Sequence, residues 1–271
     1  MAHQILQGKT GIIFGALDEN SIAWKVAEQA HEAGAQLLLT NAPIALRMGE
    51  INKLAEKTGA RVVPADATSL EDLNKLLDAA AEQWGGVDFV LHSIGMSPNI
   101  RKNKLYPDLS YDFLNKTLDV SAISFHKVMH LLYQRDLMRE WGSIVALTYL
   151  AAQRTFGEYN DMADAKALLE SIARSFGYHF GKQKQVRVNT ISQSPTPTTA
   201  GTGVAGFDKM LTYAEKMSPL GNATADDCAA YCVMLFSDYT RKVTMQNLYH
   251  DGGFSSMGAS TDILAGLDTG A

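Results

Sequence analysis

Tyr159 and Lys166 stand seven positions apart, and a second tyrosine, Tyr149, closes an apolar run ten positions before the first. Seven positions is close to two helical turns, so on a helix starting here the phenol and the ammonium share one face. A lysine held beside a tyrosine favours the phenolate and makes the hydroxyl a better proton donor, while its remaining donors reach a ribose hydroxyl. Reduction of a polarised carbonyl or enoyl group is the chemistry this set suits. The same spacing recurs on solvated helices with no activity, so its meaning depends on the elements that hold it.

Those elements read as a dinucleotide fold. Residues 8–15 (GKTGIIFG) form an apolar, β-branched run between glycines, followed by a helical pattern from Ser21. Gly15 lets the backbone approach a pyrophosphate, and a helix starting at Ser21 offers unpaired amides and the positive end of its dipole. The G-x-G-x-x-G fingerprint is reduced to Gly15, because residues 16–20 read Ala-Leu-Asp-Glu-Asn. Further strands are expected over 37–40, 61–65, 87–93, 144–148, 186–191 and 245–250, with helical segments between them. Ser69 with Asp72, and Thr224 with Asp227, have the spacing of capping boxes. The pattern predicts an α/β fold: a doubly wound, Rossmann-type parallel sheet of about seven strands with helices on both faces, in one domain over 1–271.

Ligands of such sheets bind beyond the C-terminal strand ends, where polar loops over 96–109 and 192–206 are expected. Asp66 and Ala67 follow the third strand, placed to meet an adenine edge. Ser93, Ile94 and Gly95 follow the fourth, beneath a nicotinamide ribose. After the sixth, Ser194, Pro195, Thr196, Pro197, Thr198 and Thr199 offer hydroxyls and amides for the nicotinamide amide and the pyrophosphate. Agreement of all these segments on one rim outweighs the reading of each as an ordinary loop or cap.

Composition removes other classes. The 271 residues are 46% hydrophobic and 20% charged, with a formal net charge of -5, ordinary for a globular protein and unsuited to nucleic acid. No apolar run approaches a membrane span and the N-terminus lacks the apolar core of a signal peptide, so a cytoplasmic protein is expected. Cys228 and Cys232 read as reduced core thiols, and His126 and His130 as helix-face histidines without the glutamate of a zinc-protease helix.

The Tyr159/Lys166 pair, the strand order and the segment Asp251-Gly-Gly-Phe254 resemble the short-chain dehydrogenase/reductase superfamily. Within it, Gly15-x5-Ser21-Ile22-Ala23, His92-Ser93-Ile94-Gly95 and Leu147-Thr148-Tyr149-Leu150 resemble the NADH-dependent enoyl-[acyl-carrier-protein] reductases, over essentially the whole chain. A generic ketoreductase places a serine thirteen residues before the tyrosine; here Ala146 stands there and Tyr149 takes the strand end. The resemblance implies that Lys166 contacts the nicotinamide ribose, that Tyr159 donates to the thioester carbonyl, and that Tyr149 lies near the substrate, shaping the acyl pocket or helping proton supply. It also implies a cofactor lined by Gly15, Ser21, Ile22, Asp66, Ala67, Ile94 and the segment from Thr196 to Ala200, with Ser97 on the substrate. NADH is the implied cofactor. NADPH stays open, because the second strand ends Thr40-Asn41-Ala42 without an acidic residue and Arg47 follows.

A homotetramer packed through the last strand and its tail is implied, and so is an acidic acyl carrier protein as bearer of the enoyl substrate. The family's helix after the threonine loop is basic, whereas here only Lys209 and Lys216 remain, leaving Arg101, Lys102 and Lys104 as the expected docking patch. Two other readings stay open: a reductase of the same fold acting on a carbonyl, and a nucleotide-sensing regulator without turnover.

Overall fold

Alternation of apolar residues along the strands divides the core into two layers. Ile12, Phe14, Leu38, Val90, Ile144 and Val188 pack on one face, while Ile13, Leu37, Leu39, Phe89, Leu91, Val145 and Ile191 pack on the other. The computed structural model describes residues 4–199, 201 and 206–266. Its sheet is wholly parallel, built from β1 (Thr10–Phe14), β2 (Gln36–Thr40), β3 (Arg61–Val62), β4 (Val87–His92), β5 (Met138–Thr148), β6 (Arg187–Gln193) and β7 (Asn247–His250). The spatial order is β3-β2-β1-β4-β5-β6-β7, so the chain reverses direction between β1 and β4, the switch point beside which dinucleotides bind.

Around the sheet run α1 (Ile22–Glu32), α2 (Pro43–Met48), α3 (Ile51–Thr58), α4 (Leu70–Trp84), α5 (Pro98–Arg101) and α6 (Tyr111–Leu118). They continue as α7 (Ser124–Gln134), α8 (Asp161–Lys184), α9 (Phe207–Met217), α10 (Ala225–Phe236) and α11 (Thr261–Ala265). Helix α10 lies in the core against α1, burying Cys228 and Cys232 as free thiols.

The expected capping box is complete at Thr224 and Asp227, which exchange both bonds. At Ser69 it is half made: the hydroxyl accepts from the Asp72 amide, but the Asp72 carboxylate turns to the Asp66 amide at 3.1 Å. Two strands differ from expectation. β3 stops at Val62, although the amides of Val63 and Ala65 continue to the carbonyls of Leu39 and Asn41; Pro64 has no amide to donate. β5 starts six residues early, with a register shift against β4 and Trp141 at φ 60°, a bulge that apolar periodicity does not reveal.

Gly15 has φ +98°, and a Cβ there would overlap the Ser93 carbonyl oxygen. The turns after β1 and β4 therefore touch backbone to backbone. Gly15→Ala is expected to lose roughly 2–4 kcal/mol of stability from the left-handed backbone and the overlap, and to weaken dinucleotide binding. Thermal melts with and without NADH check both effects.

Candidate active site

A cleft enclosing about 230 Å³ opens at the C-terminal ends of β4, β5 and β6. Ser93, Ile94, Gly95 and Ser97 enter it after β4, Tyr149 at the end of β5, Tyr159 and Lys166 around the start of α8, and Pro195, Thr196 and Thr198 after β6; Ile22 from α1 also lines it. Of the segments expected on this rim, those after β4, β5 and β6 line the cleft, and the one after β3 does not.

Tyr159 reaches the cleft differently from expectation. Helix α8 begins only at Asp161, and Tyr159 sits in the preceding turn with Asn160 as N-cap at φ 55°. The phenol and the ammonium line the same cleft from a turn and a helix, and no shared helical face is involved. The Tyr159 ring packs 4.9 Å from that of Tyr149, and its hydroxyl makes no hydrogen bond among the described residues. Burial raises the Tyr159 phenol above its ordinary value, and that of Tyr149 rises from burial first and then from Tyr159 and Asp251. The expectation that Lys166 favours the phenolate is therefore corrected: desolvation keeps Tyr159 protonated, as a hydrogen-bond donor requires.

Lys166 is 8% exposed, and its Nζ donates to the Leu147 carbonyl at 2.8 Å. Burial pulls its pKa down to about 8, opposed by Glu170 one helical turn on. Glu170 was not anticipated as a site residue. It is 4% exposed and accepts from Thr148 Oγ1 at 2.9 Å and Gln153 Nε2 at 3.0 Å, clamping the chain on both sides of Tyr149 while keeping Lys166 charged. Glu170→Gln is expected to move the alkaline limb of kcat/KM to lower pH, because loss of the carboxylate lowers the Lys166 pKa further. A pH profile across roughly 6–10 tests this.

Asp161 was missed as well. Fully buried, it accepts from Ser97 Oγ at 2.6 Å, Asn99 Nδ2 at 2.7 Å and Thr117 Oγ1 at 2.8 Å. Ser97 also caps α5 through the Ile100 amide, so its hydroxyl serves Asp161 and the cap. The segment 96–109, expected to be loop, thereby carries α5 and a turn of 3-10 helix over 106–108.

The remaining candidates lie farther along the rim, outside the cleft lining. The Ser21 hydroxyl donates to the Asp18 carbonyl at 2.6 Å and accepts from the Leu17 amide, bracing the glycine turn. Asn41, where an acidic residue was absent, donates to the Ala16 carbonyl at 3.0 Å. The Asp66 carboxylate receives both the amide and the hydroxyl of Thr68, and Ala67 packs into the core. Thr199 Oγ1 donates to Asp18 at 2.6 Å, joining the threonine loop to the glycine turn. Ala200 lies outside the described residues.

A dinucleotide fits these residues. Gly15 removes the side chain where two turns abut, Gly95 leaves the backbone open beside Lys166 Nζ, which is 3.7 Å from the point its Cβ would occupy, and Lys166 is a buried cation with donors to spare.

Residues 15–255 match the family model described as Enoyl-(Acyl carrier protein) reductase. The chain is 34% identical over 252 residues to "Enoyl-[acyl-carrier-protein] reductase [NADH] 2" of Rhizobium meliloti, covering 93% of each. Among solved structures it is similar to a FabI-NADH complex from Alistipes finegoldii, with 63% identity, a TM-score of 0.96, and 99% of this chain and 95% of that one covered. It is also similar to the Bacillus cereus enoyl-acyl carrier protein reductase with NADP+ and indole naphthyridinone, at 32% identity and a TM-score of 0.88, covering 94% of this chain and 99% of that one. The seven-stranded sheet, the cleft and these matches along nearly the whole length agree: the chain belongs to the enoyl-(acyl carrier protein) reductase family.

Proposed function

We propose that this protein reduces the 2,3 double bond of trans-2-enoyl thioesters on acyl carrier protein, using NADH, as a step of fatty-acid elongation. The observation that carries the reading is the convergence of Tyr149, Tyr159 and Lys166 on one cleft at the sheet's switch-point edge, in a chain of this family. NADH, when bound, supplies the hydride that adds to the thioester's β-carbon. Charge then moves to the carbonyl oxygen, and the protonated Tyr159 hydroxyl, with no competing partner among the described residues, donates a hydrogen bond to it until the enolate takes up a solvent-derived proton at the α-carbon to give the saturated thioester. Such a donor acts mainly when the oxygen becomes anionic. Lys166, cationic at neutral pH, holds the ribose and adds its field to the same oxygen. Ile100, Met162, Phe207 and Met210 line the apolar side of the cleft, giving an acyl chain a place free of water. The Tyr149 hydroxyl contacts Met210 Sδ at 3.6 Å, which favours its role as a wall of the acyl pocket.

Gly15, Ser21, Ile22, Asp66, Ala67, Ser93, Ile94, Gly95 and the segment from Pro195 to Thr199 are assigned to the cofactor, with Ser97 shaping the substrate side through Asp161. We further read the assembly as a homotetramer in the cytoplasm. β7 forms a sheet edge with Tyr249 43% exposed, a surface suited to a second copy, and light scattering measures the mass.

Ala146 is buried in the core and does not line the cleft, so the site has no serine partner there for a ketone. Oxidation of NADH with crotonyl and 3-ketoacyl thioesters side by side tests the function: only the enoyl substrate is expected to turn over. Reduction of the ketone would favour the carbonyl reductase, and tight NADH binding with neither reduced would favour the regulator.

A further inference from the structure

We propose that Arg101, Lys102 and Lys104, at the mouth of the cleft, form the surface on which the acidic carrier protein docks; this rests on the function proposed above. Arg101 lines the cleft itself, and all three side chains are exposed. None of them is in an ion pair among the described residues. Lys102 Nζ rests 4.7 Å from the centre of the Phe113 ring, which orients the ammonium without neutralising it. Beside them Leu105 and Tyr111 are 69% and 78% exposed, an apolar border of the kind that packs at interface centres. The neighbouring carboxylates are Asp108, Asp112 and Asp164, the last accepting from the Tyr106 hydroxyl at 3.1 Å.

Local charge order favours this segment: residues 101–104 read Arg-Lys-Asn-Lys with no carboxylate among them, the acidic residues following at 108 and 112. The whole chain carries -5, so an acidic partner is repelled at long range and needs a local cationic patch. Helix α9 contributes Phe207 and Met210 to the cleft, but its exposed Asp208, Lys209, Glu215 and Lys216 cancel. The basic segment is also fixed relative to the phenol. The Asn160 side chain donates to the Lys104 carbonyl and Asp161 holds Asn99, and these two residues directly follow Tyr159. A carrier seated on the segment therefore delivers its thioester at a set distance from the reacting centre.

The test compares the Lys102→Glu, Lys104→Glu double variant, which leaves the cleft-lining Arg101 in place, and the corresponding double Gln variant with the unaltered enzyme. Each is assayed on crotonyl-carrier protein, crotonyl phosphopantetheine and the crotonyl thioester of N-acetylcysteamine. Charge reversal is expected to raise KM for the carrier-linked substrate roughly tenfold or more, with the Gln variant between and the salt dependence flattened; both carrier-free thioesters keep their kcat/KM. An unchanged KM with carrier overturns the proposal. So does an equal loss with crotonyl phosphopantetheine, which would assign the patch to the arm's phosphate. Failure of the unaltered enzyme on every thioester would instead overturn the proposed function.

Discussion

Tyr159→Phe is expected to lower kcat by about 10²–10³-fold, the usual consequence of removing one oxyanion donor, while NADH affinity and melting temperature stay near those of the unaltered protein. The phenol's hydroxyl has no partner among the described residues, so its removal leaves no buried group unsatisfied, and the ring keeps its packing against Tyr149. Loss in kcat with little change in KM marks an interaction made in the transition state. A parallel loss of NADH binding would place the hydroxyl on the cofactor instead. Steady-state kinetics with crotonyl thioester, alongside a fluorescence titration of NADH, separates the two.

Lys166→Met is expected to be more damaging still, lowering kcat/KM by at least about 10³-fold, because both the proposed ribose contact and the cation proposed to stabilise the developing oxyanion would disappear. NADH binding should weaken by about 10–100-fold, the worth of one or two charge-assisted hydrogen bonds. Stability behaves otherwise. Methionine fills similar space and removes a desolvated charge, offsetting the lost bond to the Leu147 carbonyl, so unfolding at pH 7 should change by no more than about 1–2 kcal/mol. The pH dependence distinguishes this from general damage. The folded value of about 8 lies below the ordinary lysine value of 10.5, so between these limits the folded chain holds fewer protons than the unfolded one. The penalty for the buried charge is complete below pH 8 and is relieved as pH rises toward 10.5. The unaltered protein should therefore gain stability over that window relative to Lys166→Met, and denaturant titrations at pH 7 and 10 measure it.

The same lysine sets the expected alkaline limit of activity. Burial raises the phenol of Tyr159, so the first group to change charge above neutrality in the free site is Lys166.

Fold class and strand order were legible because apolar strands and capped helices are local patterns with fixed periods. Leu37–Thr40 and Val87–Ser93 announce themselves by β-branched and aliphatic runs, and Thr224 with Asp227 by spacing alone. The site was legible in its residue types but not in how they are held. Tyr159 belongs to a turn that ends at Asn160 with a left-handed backbone, and nothing in the spacing to Lys166 separates that from a helix. Asp161 gave no signal, because its partners Ser97, Asn99 and Thr117 come from segments 44–64 residues away. Glu170 did carry one: a carboxylate four residues after Lys166 on a helix shares its face, and a buried lysine needs such a neighbour. β5 was read short because Arg139, Glu140 and Trp141 interrupt the apolar pattern where the bulge bends the strand.

The central claim is that Tyr159 and Lys166 act together on the thioester oxygen above bound NADH. A crystal structure with NADH and an enoyl thioester analogue tests it most directly. The account predicts the Tyr159 hydroxyl within hydrogen-bond reach of the carbonyl oxygen, about 2.5–3.0 Å, and Lys166 Nζ on the nicotinamide ribose. A carbonyl oxygen held by another group, with Tyr159 turned away from it, would contradict the account.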